Sequence, residues 1–307
     1  MTSEPLSGAG RSAWRIVGAM LPWKAGNDPA QWERHLRELA SVGFTGVDVT
    51  DSWLKPGLFE KGRVDELASI IAGEGLSVAA LSLIRCSVID PETGDENLAY
   101  SHASLEAAKI LGADVVSVGL HRPLTEGQQA QLWFWTVPGS EDDVSDDTYR
   151  EAASRLRELA DHARELQLEL SLEMYEDTLL GSADSARRLL DEIGRDNVGL
   201  NPDIGNLVRQ QRPIENIDVL LAKVLPVTNY WHVKNYLRLE NPVTGTYLTA
   251  PSSMRAGVID YRRAFALARE VGFGGAVCIE QYGGDTVGTM KENLEYCHEL
   301  LNGALRT

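Results

Sequence analysis

From Trp14 onward the chain alternates two kinds of apolar pattern. Short β-rich runs, Trp14 to Leu21, Thr45 to Thr50, Leu76 to Ile84, Asp114 to Leu120, Leu168 to Met174, Val198 to Ile204, Val227 to Asn235 and Gly275 to Tyr282, are each followed by a longer stretch of helical period. Pro29 to Val42 is the plainest of the helices, with Trp32, Leu36, Leu39 and Ala40 on one face and Glu33, Arg34, Arg37 and Glu38 on the other. A glycine closes several helices just before the next strand, at Gly43, Gly75, Gly112 and Gly272. Eight such units, with no long linker and no shift in composition, predict an α/β fold: one (β/α)8 TIM barrel over residues 14–307, in preference to an open sheet. Residues 1–13, small and polar, predict a disordered tail.

Two connections are oversized, the loops after strands 4 and 7. One runs from His121 to about Asp146 and carries Trp133, Phe134 and Trp135; the other runs from Tyr236 to about Val258 and carries Tyr247 and Met254. In a barrel, connections on this side hold lids and binding surfaces. The aromatic trio is expected to close over a substrate, to dock a partner chain, or to pack on the barrel's own rim.

Charge removes some functions. With 29 Lys and Arg against 45 Asp and Glu, the net charge is −16, and no basic run offsets it. That argues against nucleic acid or an anionic membrane as partner, since both demand clustered cations. Cys86, Cys278 and Cys297 are too few and scattered for a disulfide framework, and no run is apolar for long enough to span a bilayer. A cytoplasmic location is the expectation.

Candidate chemistry lies in the last four strands. Each ends in one polar, metal-competent residue inside an otherwise apolar run: Glu173 in LELSLEMYED, Asp203 in VGLNPDIGN, His232 in YWHVKN and Glu280 in AVCIEQYGG. A buried carboxylate needs a cation, a proton or donors. Four such groups at the C-terminal ends of consecutive barrel strands would converge on the barrel mouth. Three carboxylates and one imidazole suit a divalent ion, Mn²⁺ first, then Co²⁺, Zn²⁺ or Mg²⁺. Along NYWHVKNYLR, side-chain alternation puts His232, Lys234 and Tyr236 on one face.

With HVKNYLR, GVIDYRRAF and GFGGAVCIEQY, this Glu, Asp, His, Glu order resembles the xylose-isomerase-like barrels of the sugar phosphate isomerase and epimerase family, over nearly the whole chain. The resemblance implies a single divalent metal on Glu173, Asp203, His232 and Glu280, and a polyhydroxy carbonyl substrate that chelates it. The ion would acidify the C–H beside the carbonyl by stabilising an enediolate. Glu173 and Glu280 would then be the acid/base pair as well as ligands. Arg238, six residues after His232, matches the family arginine that holds a substrate oxygen. Lys234 would stabilise the enediolate or simply pair with a carboxylate. Trp23 and Arg122, at the ends of strands 1 and 4, are further candidates for substrate contact.

The pattern also departs from the epimerases. Their D-x-x-H turn here reads DIGN, with Asn206 in place of histidine, and a supporting acid is replaced by Leu179, with Glu176 the nearest to stand in. His121 and Arg122 end strand 4 facing the same mouth, where His121 is expected either to contact solvent or a backbone carbonyl as a loop histidine or to serve as an extra acid or base. An extra base suits elimination, so the alternative is a lyase of the same superfamily acting on a 3-keto sugar: a dehydratase, or the large subunit of a C-glycoside deglycosidase with its small partner subunit. Metal-dependent apurinic endonucleases share the barrel but use several histidines, whereas His35, His102, His162 and His298 fall on predicted helices. A homo-oligomer is open, and the only phosphate-cradle candidate, Tyr282-Gly283-Gly284-Asp285, is weak.

Overall fold

The computed structural model describes residues 14–303; the expected tail at 1–13 lies outside them. Eight parallel strands form the barrel wall: β1 (Ile16–Ala19), β2 (Gly46–Thr50), β3 (Ser77–Ser82), β4 (Val115–Val118), β5 (Glu169–Glu173), β6 (Val198–Asn201), β7 (Trp231–Val233) and, last in the chain, β10 (Val277–Ile279). Their order is β6-β5-β4-β3-β2-β1-β10-β7, and the Leu200–Thr228 bridge brings the two ends together in a nearly closed (β/α)8 barrel. Every wall strand falls inside a run read from the sequence. The main helices packed outside are α1 (Pro29–Val42), α2 (Lys61–Gly73), α3 (Gly94–Leu111), α5 (Asp146–Glu165), α6 (Ala183–Ile193), α8 (Ile217–Val224), α9 (Tyr261–Glu270) and α10 (Thr286–Leu301). Short helices α4 (Glu126–Gln129) and α7 (Ile204–Val208) sit in loops at the mouth. None of the described helices is long and apolar enough to cross a membrane.

Helix α1 shows how local sequence sets these units. Asp28 accepts the Ala30 N–H at its start, Pro29 occupies the first turn, and Gly43 ends it at φ 113°, a left-handed conformation costly for other residues. Between the caps, Trp32, Leu36 and Leu39 are buried against the wall.

One expectation is corrected. The segment after strand 7 is not an irregular loop but an antiparallel hairpin, β8 (Asn235–Asn241) and β9 (Thr246–Ser252), in full register from Asn235–Ser252 to Asn241–Thr246. The tip residues Asn241 to Gly245 form the turn: Asn241 Oδ1 accepts the Val243 and Thr244 N–H groups, and Gly245 takes φ 67°. The other oversized connection folds onto this hairpin. Trp135 is buried, its Nε1 donates to Thr249 Oγ1 at 3.1 Å, and its ring packs edge-on to Tyr236 and Tyr282 at 5.3 and 5.9 Å. Of the three sequence alternatives for the aromatic trio, the ring contacts realise packing within the chain, over the mouth.

Candidate active site

Strand ends bring Glu173, Asp203, His232 and Glu280 together. Glu173 closes β5, Asp203 follows β6, His232 is the middle of β7 and Glu280 follows β10, and all four are at most 4% exposed. One ligand atom each from Glu173, Asp203 and His232 lies within 4.8 Å of the others. Glu280 joins through His232, whose Nδ1 is 3.2 Å from Glu280 Oε1, 3.9 Å from Asp203 Oδ2 and 4.0 Å from Glu173 Oε2.

The histidine is aimed by a residue the sequence reading passed over. Asp48, on β2, accepts from His232 Nε2 at 3.0 Å, Tyr230 OH at 2.6 Å and Ser82 Oγ at 2.7 Å, all on Oδ2. With Nε2–H committed to Asp48, Nδ1 turns toward the three carboxylates. The signal was present: Asp48 stands alone in the apolar run GVDVT, the same criterion that selected the other acids. Asn201 locks the strand from the other side, accepting the His232 backbone N–H at 2.7 Å.

Lys234 lies two residues along, fully within the cluster, and its Nζ donates to both Asp203 and Glu280. Gly205 makes room for it; a Cβ there would overlap Lys234 Cγ and sit 3.1 Å from Asp203 Oδ1. Tyr261 fixes the lysine backbone, donating to its carbonyl at 2.7 Å and accepting its N–H at 3.0 Å.

Charge in so dry a place is costly, and the titrating groups register it. Burial pushes Glu173 up to about 8 and raises Asp203 as well. Burial would also raise Glu280, but the Lys234 ammonium and His232 hold it below its ordinary value. Burial opposes a charged His232, yet Glu280, Asp48 and Glu173 raise it to about 10. Without another cation, the proton is the positive charge this imidazole holds.

The remaining candidates divide. Asn206 joins the cluster, donating to Glu173 Oε1 at 3.0 Å. His121 joins it too: buried against the Tyr175 ring at 4.1 Å, with Nε2 3.9 Å from Glu173 Oε1 and no hydrogen bond to either ring nitrogen. Burial and then Arg85 and Arg209 hold its pKa well below the ordinary imidazole value, which disfavours the charged ring. Arg238 is not brought in. Its guanidinium donates to the carbonyls of Val208, Gln210 and Arg212, tying the hairpin to the segment after α7. Arg122 pairs with Asp142 at 3.2 Å, and Trp23 Nε1 donates to Glu38 on α1. Arg209 does reach the mouth, fully buried and paired through Nε and Nη2 with Glu176 at 2.8 and 3.0 Å. It lies about 5 Å from the rings of Phe134, Trp135 and Tyr175.

These residues fit a divalent cation. His232 Nδ1 and Asp203 Oδ1 are buried without a hydrogen-bond partner, and one ammonium stands against three carboxylates. Oxygen-rich donors with one imidazole suit a hard to borderline ion with positions left for a ligand.

Comparison with known proteins agrees with the fold. The sequence profile of the xylose isomerase-like TIM barrel family matches residues 36–300. A xylose isomerase-like TIM barrel protein from Mycobacterium smegmatis, solved in complex with magnesium, is 40% identical, with a TM-score of 0.89 over 95% of this chain and 98% of that one. The inosose dehydratase of Serratia proteamaculans (strain 568) is 24% identical over 264 residues, 81% of this chain and 82% of the relative. The fold also matches the 3-keto-D-glucoside 4-epimerase of E. coli, at TM-score 0.68 and 15% identity, over 93% of this chain and 99% of that one.

Proposed function

The chain belongs to the xylose isomerase-like TIM barrel family, and from that premise we propose that it is a divalent-metal-dependent isomerase or epimerase of a sugar or keto-sugar. Sugar epimerases and a dehydratase are among the proteins it resembles. The observation that carries the proposal is His232 Nδ1, turned by Asp48 away from every neutral partner and toward Glu173, Asp203 and Glu280. Those four residues would hold the ion, and Mn²⁺ leads among the candidates ahead of Co²⁺, Zn²⁺ and Mg²⁺. When bound, a divalent ion polarises a carbonyl and its neighbouring hydroxyl and makes the C–H between them more acidic.

The chain's own groups then divide the work. Glu173 and Glu280, on strands β5 and after β10, flank the centre and exchange the proton on opposite sides of the carbon, which is what inversion at that carbon requires. Asn206 holds Glu173 Oε1, fixing which oxygen is free to take the proton. Lys234 keeps its ammonium beside Asp203 and Glu280, where it offsets negative charge building on the substrate oxygens. Trp135 and Tyr282 seal the mouth and keep water from the carbanion.

A second reading is favoured by the inosose dehydratase match and by His121. An unpartnered imidazole with a depressed pKa, 3.9 Å from Glu173, is a suitable base to take the proton beside the carbonyl, while Glu173, pushed up to about 8 and so protonated, gives its proton to the departing hydroxyl or aglycone, completing elimination on a 3-keto sugar.

The test is metal analysis of the purified chain with solvent deuterium exchange into ketoses and 3-keto glycosides, with and without added Mn²⁺. Metal-dependent exchange is expected. Rearranged sugar with retained oxygens identifies the isomerase or epimerase, and an unsaturated product or released aglycone the lyase. Absence of exchange across both panels overturns both.

A further inference from the structure

A cation at the barrel mouth stands without an anion. Arg85 follows β3 and bridges the next two strand ends: its Nη1 donates to the Arg122 carbonyl beyond β4 at 3.0 Å, and its Nη2 to Tyr175 OH beyond β5 at 3.3 Å. Both acceptors are neutral. Among the described residues no carboxylate pairs with this guanidinium, whereas its neighbours at the mouth are matched, Arg122 to Asp142 and Arg209 to Glu176. In a chain with 45 acids against 29 bases, that is not for want of acids.

The unmatched charge is also held in place. Arg85 takes φ 59°, a left-handed conformation that few residues other than glycine adopt. Backbone of this kind persists where the surroundings over-determine it, and ligand clamps are among those places. The guanidinium carbon lies 4.8 Å from the centre of the Phe134 ring and 6.0 Å from that of Tyr175. Aromatic faces fix its plane without cancelling its charge. Arg85 is half-buried, and its two hydrogen bonds leave the rest of its five N–H groups without an acceptor among the described residues.

A short relay of rings sets its place relative to the reacting centre. Tyr175 packs on His121 at 4.1 Å, and His121 Nε2 is 3.9 Å from Glu173 Oε1. Arg85 therefore stands behind these two rings, out of reach of the carbon beside the carbonyl and placed for a group on the remote part of a substrate.

A single positive charge narrows what that group is. A phosphate ester brings about 1.5 to 2 negative charges near neutral pH, more than one guanidinium balances. A carboxylate brings one, and its two oxygens match the fork of N–H groups. Resting on the isomerase or epimerase reading above, we propose that the substrate is an acidic sugar, a polyhydroxy keto acid whose carboxylate is taken by Arg85 while its carbonyl end faces Glu173 and Glu280.

Ketoses that differ only at C6 test it: D-fructuronate, D-fructose 6-phosphate and D-fructose, scored by solvent deuterium exchange with the Mn²⁺-loaded chain. The kcat/KM of fructuronate is expected to exceed that of fructose by about 10-fold to 100-fold, mostly through KM. In Arg85→Met that ratio should fall toward one, and Arg85→Lys should keep part of it. General damage to the mouth would slow both sugars and leave the ratio standing. Calorimetric binding of D-gluconate against D-glucitol, which have no carbonyl to react, reads the same preference without turnover. Absence of exchange from every ketose would thus fall on the proposed reaction, while the polyol pair still decides the role of the arginine. No preference for the acid in the unmutated chain, a preference that survives Arg85→Met, or a stronger one for fructose 6-phosphate overturns the proposal.

Discussion

The two halves of the barrel mouth treat buried acids differently. In the half built from β1 to β4, the carboxylates are served by hydrogen bonds: Asp48 Oδ2 takes three donors, and Asp51 takes the Ile84 N–H and the Cys86 thiol. In the half built from β5 to β10, Glu173, Asp203 and Glu280 rely on one lysine, one histidine and one amide. Each half leaves one carboxylate oxygen without a donor, Asp48 Oδ1 and Asp203 Oδ1, but only the second sets three carboxylates around a single ammonium. Glu173 and Glu176 differ at closer range: three residues apart and both buried, one is held by the single neutral amide of Asn206 while the other is clamped by the Arg209 guanidinium. Counting the cations around buried acids, and not the acids alone, is what singles out the second half.

Breaking that comparison begins with the second half. Glu280→Gln is expected to lower turnover by about 10³-fold or more, since on the proposed function it would remove a ligand and a proton carrier together, with little loss of melting temperature. A variant that keeps exchanging deuterium would remove Glu280 from the mechanism. Next, Arg209→Met strands Glu176 and should cost about 3–5 kcal/mol by chemical denaturation, with Glu176→Leu in the same chain recovering much of it. An additive double variant would mean that the pair is not the clamp described.

Asp51 sharpens the contrast through pH. Burial raises its pKa from the ordinary 3.8 to about 6, so the folded chain holds this proton more tightly than the unfolded one. Its stabilising protonation is complete below about 3.8 and is lost as pH rises through 6, a difference of about 2–3 kcal/mol. Asp51→Asn should thus stabilise the fold at pH 7 and gain nothing near pH 4, read from denaturation curves at the two values. Asp48→Asn is the smallest of the set: His232 loses the partner that selects its tautomer, and metal affinity by titration calorimetry should fall about 10-fold to 100-fold, with the fold retained. An unchanged affinity would mean that Asp48 serves only Tyr230 and Ser82.

Much of this was legible in the chain itself, for identifiable reasons. Strands β1 to β7 and β10 are buried on both faces, so they announce themselves as apolar runs, and α1 is readable residue by residue from Asp28 to Gly43. The hairpin escaped notice because β8 and β9 lie on the rim, where Leu237, Leu239 and Leu248 are exposed and no apolar/polar alternation is enforced. The four polar strand ends stood out against their apolar neighbours, and Asp48 would have done so by the same test. Arg209 could not: in NLVRQQRP it looks like any polar loop residue, and only the aromatic rings of a segment some seventy positions earlier give it a buried place. Arg238 misled for the converse reason, since its spacing from His232 says nothing of the carbonyls that claim it.

The stacked indoles of Trp133 and Trp135, 5.1 Å apart, give the chain an optical gauge of its own. A movement at the mouth that separates or tilts these rings relative to Tyr236 and Tyr282 would change the surroundings of both indoles. Such a movement would register in the ultraviolet emission of the unlabelled protein.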